Sequence, residues 1–229
     1  MQDINCWEEK FEVCEYAARL LDKVTYLNTL VKQPVDLREI KKGIYYARKY
    51  HGTQMRQSGD PYYSHPIEVA YMAAEFTAYR KVNFFTADTI ITSLLHDTIE
   101  DTYLSEKMIT KIFGREIAIQ VEALTRVKID NKLSAAEIMN ILFYNENTKL
   151  LIIKLCDRFH NLQTIRAQSP EKQRKTVHET LVTFLPIAST VHYELENKLI
   201  QLCLSILNEH EENANFLAKN NFQMLSLTF

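Results

Sequence analysis

The sequence predicts an all-α fold, and three observations support this. Only four glycines and five prolines occur among 229 residues, which leaves little material for the turns of a β-rich fold. Apolar residues recur at intervals of three and four along most of the chain, the spacing of helices that bury one face. Two pairs, Asp36 with Glu39 and Ser134 with Glu137, have the capping-box spacing that begins a helix.

Composition also limits the class of function. The formal net charge is −2, so the chain has no broad positive electrostatic field that would favour duplex nucleic acid or a membrane surface as a partner. No apolar run approaches the twenty residues of a spanning helix. The four cysteines form no C-x-x-C pair, and the N-terminus is charged where a signal peptide would be apolar. We therefore expect a cytoplasmic protein.

The first predicted elements are two amphipathic helices. The stretch from Trp7 to Val31 has apolar residues at helical spacing, and "KQPVD" interrupts it. The capping pair at Asp36 begins the second helix, which we expect to end near His51 and Gly52.

A polar, turn-rich segment, "TQMRQSGDPYYSHP", comes next. Pro66 suits the first turn of the helix that follows, which puts His65 at the mouth of that helix. "TADTIITSLLHDTIED" predicts one further helix, and "SEKMITKIFGREIAIQVEALT" predicts two helices divided at Gly114.

The C-terminal half predicts a loop, "RVKIDNKL", and then a helix from Ser134 to about Phe143. "NTKLLIIKLCDRFHNLQTIRA" reads as a central helix leaving the core. Ser169-Pro170 begins another helix, and Pro186 should kink or divide a later one. No structure is predicted for the tail beyond Asn208. We expect three parts: an N-terminal helix on the core (1–34), the main domain (35–200), and a C-terminal helical extension and tail (201–229).

The stretch "SLLHDTIED" concentrates polar groups beside a buried segment. On a helix, His96 and Asp97 would neighbour Glu100 and Asp101 one turn later. The preceding "ITSLL" is too apolar for an outward face, and burying unpaired carboxylates costs several kcal/mol. A metal or catalytic role explains the cluster, and a capped, solvated helix end is the alternative.

Asp157 repeats this anomaly, because it directly follows "LLIIKLC". The alternative here is a structural aspartate paired with the adjacent Arg158. Two histidines and two carboxylates drawn from three helices would make a mixed nitrogen and oxygen shell. Such a shell suits a divalent ion such as Mn²⁺, whereas a structural zinc site usually has a shell of thiolates.

A histidine, an adjacent His-Asp pair and a distant Asp together resemble the pattern of the HD phosphohydrolase superfamily. Five segments resemble, in order, the hydrolase domain of RelA/SpoT proteins over about residues 40 to 190. They are "YARKYHGTQMRQSGDPYYSHPIEVA", "LLHDTIEDT", "FGREIAIQVEALT", "IIKLCDRFHNLQT" and "HETLVTFLPIA". The resemblance implies an HD-domain helical bundle, here with N- and C-terminal helical extensions.

The resemblance also implies an activity. It implies one Mn²⁺ per chain, held by His65, His96, Asp97 and Asp157. Glu100 and Asp101 would activate or orient the attacking water. The reaction would be removal of the 3′-pyrophosphate of ppGpp or pppGpp, leaving GDP or GTP.

The substrate-binding residues implied by the resemblance are Arg56, Ser58, Asn161 and Thr164. A guanidinium suits phosphate or a base face, although Arg56 could instead be a surface arginine on a polar loop. His51 matches no metal ligand of the family, and a hydrogen bond at a helix end is its expected role.

Departures from the family pattern leave other functions open. Gln57 and Gln163 stand where the family often has basic residues, so another nucleotide, NADPH or a dNTP, could be the substrate. The altered "PIASTVHY" block and the extra helices allow a degenerate nucleotide-binding regulatory module. The length leaves no room for the family's synthetase domain, so we expect a stand-alone small alarmone hydrolase or a hydrolase-only fragment. The terminal helices could pack on the core or on a second copy, which leaves a homo-oligomer open.

Overall fold

A computed structural model describes residues 6–125, 127–128 and 131–226, with side chains for residues 6–125 and 133–211. Helices make up most of this chain, which confirms the all-α prediction. They are α1 (Glu15–Asn28), α2 (Leu37–His51), α3 (Ser64–Arg80), α4 (Ala87–Leu95), α5 (Thr98–Asp101), α6 (Glu106–Phe113), α7 (Arg115–Leu124), α8 (Ala135–Tyr144), α9 (Thr148–Gln163), α10 (Pro170–Glu179), α11 (Leu185–Val191) and α12 (Tyr193–Ser226). None of the described helices is both long and apolar enough to cross a membrane.

Local capping signals explain several helix boundaries. Ser134 and Glu137 form the predicted capping box, in which each side chain bonds to the backbone of the other residue. Asp36 accepts a hydrogen bond from the backbone N–H of Arg38, and the Glu39 carboxylate lies 3.7 Å from Lys42 Nζ. Gly114 divides α6 from α7 at φ 96°, a backbone conformation that favours glycine.

The predicted loop "RVKIDNKL" is in part a hairpin. Val127–Lys128 and Asn131–Lys132 form a two-stranded antiparallel pair, β1 and β2, whereas Arg126, Ile129 and Asp130 lie outside the described residues. Pairing allows these short segments to satisfy each other's backbone groups, which corrects the loop prediction locally. It does not alter the fold class.

The helix predicted through "HDTIED" is interrupted. It ends at Leu95, and the short α5 begins at Thr98. Side chains compete here for backbone carbonyls: Thr98 Oγ1 donates to the Leu95 oxygen, and His96 Nδ1 bonds to the Ser93 oxygen. The His-Asp pair therefore lies at a bend between two helices.

The C-terminal helices differ from the prediction in where they break and in how far they extend. A π-helical turn, Thr180–Phe184, precedes α11, and Pro186 lies in the first turn of that helix. The backbone of α12 remains helical to Ser226, in a tail for which no structure was predicted. The buried residues Leu195, Leu199 and Cys203 anchor its first turns, and an anchored helix extends at low cost. The N-terminal helix is shorter than the predicted stretch from Trp7 to Val31: α1 covers Glu15–Asn28.

Within the described part of the chain the core consists of two apolar clusters, and α3 contributes to both of them. Its Ile67 and Ala70 pack with residues of α1, α2 and α4, whereas Val69 and Ala73 pack with residues of α8, α9 and α11. Gly43 permits the close approach of α2 to α4, because a Cβ there would lie 2.8 Å from Leu94 Cδ1. The start of α3, the end of α4 and the middle of α9 consequently meet at one place.

Candidate active site

Three helices bring His65, His96 and Asp157 together. His65 lies in the first turn of α3, His96 follows α4, and Asp157 lies within α9. His65 Nε2 is 3.3 Å and His96 Nε2 is 3.8 Å from Oδ1 of Asp157. One ligand atom from each of the three residues lies within 4.8 Å of the other two, so this group could hold a divalent metal ion.

The orientation of His96 supports that fit. Its Nδ1 bonds to the backbone oxygen of Ser93 at 2.8 Å, which leaves Nε2 as the atom that faces the site. Nε2 is buried and meets no hydrogen-bond partner among the described residues, although it lies 3.1 Å from an oxygen of Asp97. A buried nitrogen without a partner, in a ring oriented by a backbone bond, is what a metal-ligating histidine looks like without its metal.

Asp97 contacts both histidines of this group. Its oxygens are 3.1 Å from His96 Nε2 and 3.4 Å from His65 Nε2, and the Tyr62 hydroxyl lies 3.3 Å from Asp97 Oδ2. It lies beside the compact trio and could complete a four-residue donor set.

The charges of the site are strongly coupled. Burial alone disfavours a charged ring, but the carboxylates of Asp97 and Asp157 raise the pKa of His96 to about 10. Burial alone would also raise the pKa values of the two carboxyls, yet cationic neighbours hold both well below the usual range. His96 dominates for Asp97, and Lys154 dominates for Asp157. Two buried anions thus depend on nearby cations.

Lys154 is a site residue that sequence reasoning missed. It is buried, and its Nζ donates to Oδ2 of Asp157 at 2.7 Å, while Asn161 Nδ2 donates to Oδ1 at 2.6 Å. The alternative partner, Arg158, instead donates to Glu179 at 2.5 Å and stacks 3.9 Å from the Phe184 ring centre. The available signal was a lysine inside "LLIIKLC", one helical turn before Asp157.

His160 is a second missed residue. Its Nδ1 lies 2.8 Å from Nδ1 of His65, and both rings are buried. Burial, together with the neighbouring His65 and Arg56 side chains, lowers the pKa of His160 to about 3. His51 forms the predicted hydrogen bond at the end of α2, to Gln54 at 2.9 Å, and its ring stacks on Tyr62.

The residues predicted to bind substrate come from a loop and from the end of α9. Arg56 Nη2 donates to Asn161 Oδ1 and to Thr164 Oγ1, both at 3.2 Å. Ser58 belongs to the same loop, and its hydroxyl donates to Asp60 at 2.8 Å. Gly59 closes the loop at φ 91°, a backbone conformation that residues other than glycine rarely adopt. Arg56 is therefore fixed across the site rather than lying on the open surface.

The two residues predicted to handle water are placed differently. Asp101 accepts a hydrogen bond from the Tyr62 hydroxyl at 2.6 Å. It lines the same cavity as His65 and Asp157, which together with His96 we call the metal-ligand group. Burial raises the pKa of this carboxyl. Glu100 lies in the same short helix α5 but is not one of the described residues that line the cavity.

One cavity joins these groups. Its volume is about 700 Å³, within the range of small-ligand sites. His65, Asp97 and Asp157 line it, as do Arg56 and Asn161 and several residues of α10. A ligand in this cavity would contact the metal-ligand group and the Arg56 loop together.

Comparisons with known proteins agree with the geometry. A profile of the HD domain matches residues 43–191. A Brucella abortus protein named GTP pyrophosphokinase rsh is 34% identical over 176 residues, covering 74% of this chain and 22% of the relative. An Aquifex aeolicus guanosine-3′,5′-bis(diphosphate) 3′-pyrophosphohydrolase is 33% identical over 193 residues, covering 82% of this chain and 27% of the relative. The chain thus spans about a quarter of the length of these relatives.

A solved structure has the same fold. It is described as a metazoan orthologue of SpoT that hydrolyses ppGpp, and the match has a TM-score of 0.59 at 22% identity. It covers 72% of this chain and 93% of the other. These similarities confirm the resemblance to RelA/SpoT proteins that the sequence motifs predicted.

Proposed function

The chain belongs to the HD-domain family, and we propose that it is a metal-dependent hydrolase that removes the 3′-pyrophosphate of ppGpp or pppGpp. The products would be pyrophosphate and GDP or GTP. The observation that carries the proposal is one cavity that joins a His-His-Asp group to an arginine held by Asn161 and Thr164. The activity in the name of the Aquifex aeolicus relative supports this choice of substrate.

We propose that His65, His96, Asp97 and Asp157 hold one Mn²⁺ per chain. Two imidazoles and two carboxylates form a donor set that suits this ion. When bound, such an ion lowers the pKa of a water molecule and polarises a phosphoryl oxygen. Lys154 and Asn161 keep the Asp157 carboxylate in place by occupying both of its oxygens.

The protein's own groups would then orient water and substrate. Asp101, fixed by the Tyr62 hydroxyl, is the carboxylate that lines the cavity and is suited to take the water proton. We propose that Glu100 orients the attacking water from the same short helix. Arg56, Asn161 and Thr164 would bind the nucleoside, and Ser58 would support the loop that carries Arg56. We also propose a cytoplasmic location.

The test is pyrophosphate release from ppGpp by the purified chain, with Mn²⁺ and with EDTA. Asp97→Asn should abolish Mn²⁺-dependent release, because it removes an anionic donor while keeping the side-chain shape. Asp88→Asn is the matched control, since Asp88 is half-buried on α4 and does not line the cavity. The proposal would be wrong if Asp97→Asn and Asp88→Asn released pyrophosphate at the same rate, or if wild type released it as fast in EDTA as with Mn²⁺.

A second candidate substrate is another nucleotide, and Gln57 is the observation that favours it. This neutral side chain lines the cavity where the family often has a basic residue. A parallel assay of ppGpp, NADPH and dNTPs decides between them by relative kcat/KM. A chain that binds no metal and turns over none of these would fit the remaining alternative, a binding-only regulatory module.

A further inference from the structure

The wall of the cavity formed by α9 and α10 runs away from the metal-ligand group. Arg158, next to Asp157, donates to Glu179 at the end of α10, so this end of α10 lies beside the metal-ligand group. The chain turns at Ile165–Ala167, between the end of α9 and the start of α10. The beginning of α10 therefore lies at the far end of the cavity.

One face of α10 lines this wall. Lys172, Lys175, Thr176 and Glu179 are spaced at three, four and seven residues, and all four line the cavity. Arg174 on the same helix does not line it. At a rise of about 1.5 Å per residue, Lys172 lies about 10 Å along the axis from Glu179. Lys175 lies between them, about 6 Å from Glu179.

The acidic residues Glu179 and Asp157 are paired with cations, whereas the two lysines of this face are in no ion pair of the described side chains. Glu179 is paired with Arg158, and Asp157 is paired with Lys154. Lys172 and Lys175 have no ion-pair partner among the side chains that the structure describes. The remaining acidic groups, Asp97 and Asp101, lie at the metal end. One end of the cavity is thus suited to a cation and the other to an anion.

We infer that Lys172 and Lys175 bind the phosphate groups of the nucleotide that are not hydrolysed, the 5′-diphosphate of an alarmone. Assigning the 5′ end to the lysines rests on the proposed function, which puts the 3′-pyrophosphate at the metal. Arg56, held by Asn161 and Thr164 one and two turns after Asp157, would contact the nucleoside. The substrate class is then a nucleotide with phosphates on both sides of its ribose. A dNTP has phosphates on one side only and cannot occupy both ends in this way.

The experiment compares the binding of GDP and guanosine to the full chain by isothermal titration calorimetry, in EDTA and again with Mn²⁺. Wild type should bind GDP about tenfold more tightly than guanosine or better, because phosphates gain charge-assisted bonds from the lysines. Lys172→Ala/Lys175→Ala should reduce this ratio to about twofold or less while leaving guanosine affinity unchanged. Arg174→Ala is the control for position, since it removes a positive charge from α10 outside the cavity, and the single variants Lys172→Ala and Lys175→Ala each match it in charge.

A GDP preference that survives in the double variant, or that falls equally in Arg174→Ala, would overturn the inference. So would a wild-type chain that does not distinguish GDP from guanosine. Circular dichroism should give the same helical content for all variants. Because this test requires no hydrolysis, its failure is distinct from a failure to release pyrophosphate.

Discussion

The Nδ1 atoms of His65 and His160 lie 2.8 Å apart, between two buried rings that are 95 residues apart in sequence. Only one of these nitrogens can donate to the other. His65 Nε2 faces Asp97 and Asp157, and a ring that binds a metal through Nε2 carries its proton on Nδ1. In the proposed metal-bound state, His65 Nδ1–H therefore donates a hydrogen bond to His160 Nδ1, which would make His160 a positioning residue for His65.

This relationship predicts that His160→Phe weakens Mn²⁺ binding about 10- to 100-fold, because it removes the acceptor that orients His65. His160→Gln should keep part of the affinity, since its amide oxygen can still accept the bond. Calorimetric titration with Mn²⁺ measures both effects. Equal affinities for wild type and His160→Phe would exclude the positioning role.

Metal binding should also stabilise the fold. Mn²⁺ at 100 times its Kd should raise the free energy of unfolding by about 2.7 kcal/mol. For a chain of this size that corresponds to an increase in Tm of about 5–10 °C. Asp157→Asn should remove most of the increase, because it weakens one of the three clustered donors. Thermal unfolding with and without Mn²⁺ checks this, and an unchanged Tm in wild type would contradict it.

The buried pair Lys154–Asp157 should contribute to stability even without a metal. Lys154→Met removes the cation that does most to lower the pKa of the buried Asp157 carboxyl, and removing one partner of a buried pair costs about 3–5 kcal/mol. Adding Asp157→Asn to that variant should recover much of the loss.

Urea unfolding in EDTA measures this cycle. The control is Lys149→Met, because the Lys149–Glu116 contact is 3.9 Å long and Glu116 is exposed. Breaking such a surface pair should change the free energy of unfolding by at most about 1 kcal/mol. A Lys154→Met variant no less stable than Lys149→Met would show that the buried pair contributes nothing.

Arg56 should affect substrate affinity more than turnover. It contacts Asn161 and Thr164 rather than the metal-ligand group, so Arg56→Ala should raise the KM for ppGpp about tenfold with a smaller change in kcat. Arg56→Lys keeps the charge but not the planar guanidinium. If steady-state kinetics found wild-type KM values for Arg56→Lys, charge alone would explain the role.

Much of the secondary structure could be predicted from the sequence, because its signals act over a few residues. The capping box at Ser134, the break at Gly114 and the helical position of His65 depend on local backbone bonds and dihedral preferences. The interruption between Leu95 and Thr98 could not be predicted in this way. There, side chains take carbonyls that a continuous helix would use, and periodicity does not report this competition.

The sequence by itself determined the all-α class, the family motifs and the conspicuous polar residues at His96, Asp97 and Asp157. Tertiary structure alone decided that Arg158 pairs with Glu179 of α10 rather than with Asp157, and that Arg56 contacts Thr164 across 108 residues. The physical reason is range: caps and helical faces depend on neighbours within a turn or two. Partners in a buried site depend on how helices pack, and many side chains far apart in sequence determine that packing together.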